Sequence, residues 1–155
     1  MALRVTSLVV FLLAGAAHAD CAPDVIDLRH DGAKVQFKID IADTDETRAR
    51  GLMHVPAMPK FTGMLFIYDR PVHAAFWMRN TLIPLDMLFM DKFGRVQHIH
   101  ENAIPHDETT IDGGSDILAV LEINGGLARV LGLDVGAEAR HPAFEGPDAA
   151  WSCAD

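Results

Sequence analysis

An aromatic ring, a guanidinium, an amide and a carboxylate occur close together in residues 76–86. Strand alternation places Trp77 and Arg79 on one shared face, with Asn80 and Asp86 beside the turn that follows. Such a group offers an aromatic plane for stacking and several directional hydrogen bonds. These residues predict a ligand-binding surface suited to sugars and other flat polar molecules.

A purely structural interpretation of the same residues stays open. Asn80 and Thr81 can bond the backbone of a turn, and Asp86 can pair with Arg50 or Arg79. In that case the polar groups hold two strands together and meet no ligand.

Glu122 interrupts the apolar run Val120-Leu121-Glu122-Ile123, which otherwise predicts a buried strand. Removing an unpaired carboxylate from water is costly, so Glu122 must be paired or protonated. We favour an arginine partner such as Arg50. The alternative is a carboxyl with a raised pKa that serves a binding site.

Several histidines could bind a transition metal. His98 and His100 share a strand face, and His106 follows in a polar segment. Imidazoles at alternate strand positions, with a further histidine or acid, can ligate zinc or copper. A metal-binding protein or a metal-dependent enzyme is therefore the alternative function, and a transition metal is the one cofactor that the sequence suggests.

The sequence predicts no catalytic residues. It contains no Gly-x-Ser-x-Gly motif, and Gly113-Gly114-Ser115 follows no predicted strand. A non-enzymatic role is therefore favoured.

Residues 1–19 have the composition of a secretory signal peptide. One cation, Arg4, precedes the apolar run Leu8–Leu13, and Ala17-His18-Ala19 fits a cleavage site. The apolar run is too short to cross a bilayer comfortably. The protein is expected to be periplasmic or secreted, with the mature domain at residues 20–155.

The chain has a formal net charge of −9 at pH 7. Such a surface repels nucleic acid and anionic lipid. No other segment is long and apolar enough to predict a membrane span. The expected partner is a small molecule or an envelope component.

The two cysteines, Cys21 and Cys153, lie near opposite ends of the mature chain. An even cysteine count in an exported protein predicts a disulfide between them.

Short strands and a few turns account for most of the mature chain. Residues 34–41 alternate polar and apolar, and a short helix begins after Thr44 and ends near Gly51. Glycine and proline predict a turn at 69–71 and a long loop at 101–115. The remaining elements are strands at 64–68, 74–78, 85–90, 95–100 and 117–123, and a helical turn at 126–131. This pattern predicts a mainly β fold, a compact antiparallel β-sandwich or barrel-like single domain with one or two short helices.

The block 76–86, together with Arg50-Gly51-Leu52-Met53 and Gly63-Met64-Leu65-Phe66, resembles domain of unknown function 192, a family of small prokaryotic proteins. The resemblance covers roughly residues 34–142 and implies a compact, mainly β domain. The matching positions form the family signature, to which no chemistry is assigned. The expected function is a non-enzymatic module that binds a small, carbohydrate-like molecule or acts as an accessory domain.

Overall fold

The structure is a computed structural model that describes residues 21–155, so the predicted signal peptide lies outside it. Its main element is a seven-stranded sheet in the order β5-β4-β6-β3-β2-β1-β7. The strands are β1 (Val25–His30), β2 (Ala33–Ala42), β3 (Thr62–Phe76), β4 (Leu85–Met90), β5 (Val96–Ala103), β6 (Ile111–Asn124) and β7 (Glu138–Arg140). The helices are α1 (Asp45–Arg50), α2 (Leu127–Val130) and a 3-10 helix at Pro142–Phe144.

The sheet curls until its two edges approach each other. Glu138 of β7 forms an isolated bridge with Arg95, just before β5. The backbone N–H of Val96 donates to the carbonyl oxygen of Ala137 at 2.9 Å. The predicted mainly β, barrel-like fold with two short α-helices is confirmed.

One strand pair departs from the antiparallel arrangement expected for the sheet. Strands β2 and β3 are parallel, with Ile39 opposite Gly63, whereas every other named pair is antiparallel. The chain between them, which includes α1, returns to the starting end of the sheet. A parallel pair needs such a crossover.

Two apolar cores lie on opposite faces of the sheet, and β6 contributes to both. Leu121 and Ile123 face the first core with Leu28 and Phe37. Val120 faces the second core, which includes Phe66, Phe89 and Met87. All six residues of β4 are buried, as expected for a strand covered on both faces.

The predicted helix after Thr44 is confirmed as α1. The Thr44 hydroxyl accepts from the Thr47 backbone N–H at 3.2 Å, and the Thr44 backbone N–H donates to the Thr47 hydroxyl at 3.0 Å. This reciprocal pair satisfies two groups that a helix start leaves open. Gly51 ends the helix at φ 47°, where a Cβ would lie 3.1 Å from the Phe66 ring. The helix therefore ends directly against β3.

The turn predicted at residues 69–71 is wrong. These residues lie inside β3, which continues for 15 residues. Its pairing with β6 shifts register between Ile67 and Val72, and again between Val72 and Ala75. Turn-type residues are tolerated there because β-bulges absorb the irregularity.

Two further boundaries differ from prediction, and two strands were missed. The long loop predicted at 101–115 is wrong, because β5 extends to Ala103 and β6 begins at Ile111. The strand predicted at 74–78 ends at Phe76, so Trp77 lies just beyond it. Strands β1 and β7, which pair with each other, were not predicted.

Candidate functional site

A cavity of about 250 Å³ opens on the second-core side of the sheet. Its walls come from the C-terminal end of α1, from β3 and from the segment just after β3. Three predicted site residues border it: Arg50, Trp77 and Glu122. The fold thus gathers half of the six predicted ligand-binding residues around one space.

Glu122 lies at the base of this cavity. It sits in β6, opposite Met64 of β3 and Met87 of β4, and only 4 % of its surface is exposed. Its carboxyl has no hydrogen-bond or ion-pair partner within residues 21–155. Every fully buried side-chain nitrogen or oxygen in that range has a partner, so the Glu122 oxygens must reach the cavity.

Burial raises the pKa of Glu122 from 4.5 to about 8. Desolvation disfavours the charged form, and no cation compensates. The predicted ion pair with Arg50 is not formed; Arg50 is exposed at the cavity rim. At neutral pH the cavity therefore contains a protonated carboxyl, which can both donate and accept a hydrogen bond.

Tyr68 and Arg48 also line the cavity, and sequence reasoning missed both. Arg48 donates to the carbonyl oxygen of Ile67 at 2.7 Å and to Asp45 at 2.6 Å, which fixes its guanidinium 5.3 Å from the Tyr68 ring centroid. Burial raises the pKa of Tyr68, nearby Arg48 lowers it and Glu122 raises it. The Tyr68 hydroxyl is thus a second neutral donor. No local sequence signal marks either residue, because tertiary folding alone brings α1 over β3.

Trp77 and Arg79 are neighbours beyond the end of β3. The Trp77 side chain is 47 % exposed and lines the cavity. The Arg79 guanidinium carbon lies 5.5 Å from the Trp77 ring centroid. Trp77 is therefore an aromatic wall with a cation beside it and not a core residue.

Asn80 and Asp86 lie outside the cavity lining. Asn80 occupies a turn at φ 54°, and its carbonyl oxygen accepts from the His54 backbone N–H at 2.9 Å. Asp86 is fully buried and accepts three backbone N–H bonds of 2.8 Å each. Asp86 thus holds separate backbone segments together and pairs with neither Arg50 nor Arg79, whereas the Asn80 side chain is exposed.

The three candidate metal ligands are not gathered into one site. His98 stacks on Phe89 with ring centroids 5.6 Å apart, and His106 lies in the loop after β5. Within residues 21–155, the only group of three potential ligands whose donor atoms lie within 4.8 Å is Cys21, Glu145 and Cys153. Its two sulfurs are already bonded to each other.

Cys21 and Cys153 form the predicted disulfide. Their Cα atoms are 5.4 Å apart across a sequence separation of 132 residues. The bridge joins the segment before β1 to the one after the 3-10 helix. Among the described residues, no helix has the length and apolar character needed to cross a membrane.

Comparisons with known proteins identify the same family that the block 76–86 and the two upstream motifs resemble. Residues 26–141 match the model of DUF192, described as "Uncharacterized ACR". A crystal structure of a protein of unknown function from Novosphingobium aromaticivorans DSM 12444 is 40% identical, with a TM-score of 0.73, covering 74% of this chain and 82% of that one. No curated protein matches the chain.

A second solved structure is also similar. It is a protein from Sinorhizobium meliloti 1021 that is described as a candidate transcription regulator. The two chains are 34% identical with a TM-score of 0.74, and the match covers 78% of this chain and 95% of that one. With the family model spanning most of its length, this chain belongs to the domain of unknown function 192 family.

Proposed function

We propose that this protein binds a small polar molecule in the cavity above Glu122, as an exported binding module. The observation that carries the proposal is the buried Glu122 carboxyl, which borders the cavity without a partner among the described residues. An unpaired buried polar group costs free energy. A ligand that hydrogen-bonds to this carboxyl recovers that cost.

The lining favours a compact ligand with one polar edge and one apolar face. The cavity volume of about 250 Å³ lies just below the roughly 300–1,000 Å³ of drug-sized sites. Glu122 and Tyr68 supply hydrogen bonds, and the Trp77 ring supplies a surface for stacking. A monosaccharide or a similar polyhydroxylated molecule meets these requirements.

No serine, cysteine or histidine lines the cavity, so the lining offers none of the commonest side-chain nucleophiles. A carboxyl that is protonated at neutral pH is also a poor general base. Both features support binding at this cavity.

A thermal-shift screen with monosaccharides, amino sugars and short carboxylic acids tests the proposal, followed by calorimetry of any stabilising compound. We expect a sugar-like compound to stabilise the wild type and to bind Glu122→Gln within about threefold, because an amide still donates and accepts. Trp77→Ala should lose the shift. The proposal fails if no compound stabilises the wild type, or if Trp77→Ala and Glu122→Ala bind as the wild type does.

Export is the second part of the proposal. It is supported by the signal-like residues 1–19 and by the Cys21–Cys153 disulfide, since such bonds persist in oxidising compartments. Expression in a Gram-negative host, followed by fractionation and N-terminal sequencing, should give a periplasmic or secreted protein that begins at Asp20. A full-length chain confined to the cytoplasm would contradict it.

A further inference from the structure

A β-bulge on the long β3–β6 pair brings a histidine and a serine together. Val72 pairs with Ile117 and Ala74 pairs with Gly114, so His73 alone faces both Ser115 and Asp116. Asp116 adopts φ 61°, which is unfavourable for a residue that is not glycine. Bulges often occur beside active sites, where they re-aim a side chain. Here the bulge points Ser115 at His73.

Asp112 places a carboxylate beside the second nitrogen of the His73 ring. Nδ1 of His73 lies 3.1 Å from the Ser115 hydroxyl oxygen, and Nε2 lies 3.0 Å from Oδ1 of Asp112. The Asp112 carboxylate also accepts from the Gly114 backbone N–H at 2.8 Å, which holds it in place.

One neutral tautomer of His73 suits both contacts. With its proton on Nε2, the ring presents the lone pair of Nδ1 to the Ser115 hydroxyl, and the Asp112 carboxylate lies at ion-pair distance from Nε2. A serine–histidine–carboxylate triad combines the same three groups in this order, although the two ring nitrogens here exchange the positions they take in the chymotrypsin-type triad, and Asp112 acts on the ring by its charge.

Ser115 also borders a cavity of about 370 Å³. This volume falls within the range of small-molecule sites. Phe93 provides an apolar wall, and Lys92 is the positively charged side chain of the lining. The cavity shares no lining residue with the one above Glu122.

We propose that Ser115, His73 and Asp112 form a second site that hydrolyses small carboxylic esters. The Ser115 oxygen attacks the ester carbonyl carbon while its proton passes to Nδ1 of His73, and the Lys92 ammonium, the cation in the cavity lining, stabilises the oxyanion. Collapse of the tetrahedral intermediate breaks the ester C–O bond, and the alcohol leaves with that proton. Water then attacks the acyl-serine with His73 as base, which releases the carboxylic acid and restores Ser115.

The exposure of the triad sets the expected scale. The side chains of His73 and Asp112 are 58% and 68% exposed, so water weakens the attraction between the carboxylate and the ring. General-base assistance commonly contributes about 10²–10⁴-fold. In this open site we expect the lower end of that range, so His73→Ala should slow the reaction of Ser115 about 100-fold relative to the wild type.

The test combines hydrolysis of p-nitrophenyl acetate with labelling by a fluorophosphonate probe, using the full mature protein. We expect a stoichiometric burst of p-nitrophenol and a probe adduct that peptide mass spectrometry places on Ser115. Ser115→Ala should lose both the burst and the adduct. His73→Ala should slow the labelling of Ser115 strongly, and Asp112→Asn should slow it less.

Ser152 provides the matched control, because its hydroxyl accepts from the Ala154 backbone N–H and contacts no histidine. Ser152→Ala should behave as the wild type. An adduct on another residue, labelling of Ser115 at an unchanged rate in His73→Ala, or no burst at all would each overturn the proposal. Since no residue is common to the two cavities, either result leaves ligand binding at Glu122 to its own test.

Discussion

The Asp86 carboxylate accepts a hydrogen bond of 2.8 Å from the backbone N–H of Ala128, in the first turn of α2. Its other oxygen accepts from the N–H groups of Asn102 and Gly126, also at 2.8 Å. One buried side chain thereby joins β4, the end of β5 and the start of α2. Part of the family signature therefore holds these elements together.

Replacing Asp86 by alanine should destabilise the protein by about 3 kcal/mol or more. The change leaves three backbone N–H groups without their acceptor, and each unsatisfied buried group costs roughly 1–3 kcal/mol. Urea denaturation measures the loss. The exposed Asp148→Ala variant is the control, with an expected change within about 0.5 kcal/mol. Equal stability of the two variants would contradict this role for Asp86.

The protonation of Glu122 should make the stability depend on pH. Between about 4.5 and 8 the folded state binds more protons at this carboxyl than the unfolded state does. The free energy of unfolding should therefore fall as the pH rises through that range, and this contribution should be constant above it. With about 1.36 kcal/mol per pKa unit, the loss is roughly 4 to 5 kcal/mol.

Glu122→Gln isolates that contribution, because its amide does not titrate. Urea denaturation at pH 5, 6, 7, 8 and 9 measures the free energy of unfolding of both proteins. The value for the variant should rise relative to that of the wild type up to about pH 8 and then keep a constant difference from it. Parallel stability curves for the two proteins would mean that Glu122 ionises normally in the folded state.

The two tryptophans should differ sharply on truncation. Trp77 is half-exposed, so Trp77→Ala should cost about 1 kcal/mol or less. Trp151 is only 6% exposed, and the guanidinium carbons of Arg29 and Arg140 lie 4.5 and 4.7 Å from its ring centroid. Trp151→Ala should cost about 3–5 kcal/mol. Chemical denaturation compares the variants, and a similar large loss for both would place Trp77 in the core.

Loss of the disulfide should lower the free energy of unfolding by about 2–5 kcal/mol. The bridge closes a long loop, so its removal restores conformational freedom to the unfolded chain. Denaturation of the wild type with and without a thiol reductant measures this. In the double variant Cys21→Ser/Cys153→Ser, the reductant should not change the free energy of unfolding. A wild type whose free energy of unfolding is equally unchanged by the reductant would contradict the prediction.

Elements with a strong local pattern were predictable from the sequence. Strand β2 follows its polar–apolar alternation, and α1 begins at the Thr44 cap and ends at Gly51. Strand β3 was divided wrongly because the local chemistry of Asp69-Arg70-Pro71 is typical of a turn. Its pairing with β6 overrides that preference across a bulge.

The candidate site was predictable only in part, because it depends on contacts between distant segments. The apolar run around Glu122 correctly indicated burial, but whether an arginine would reach the carboxyl depended on the path of α1. The same holds for Tyr68 and Arg48, which become site residues only when α1 packs on β3. The proximity of His73 to Ser115 depends on a register shift that no local pattern reveals.

The short Cα–Cα distance of 5.4 Å between Cys21 and Cys153 makes the described fold nearly a closed ring. A short peptide linker could therefore replace the disulfide, and new chain ends could be opened in the exposed loop 104–110 between β5 and β6. Such a circular permutant would keep every strand pairing of the sheet. It would also free the protein from any need for an oxidising environment.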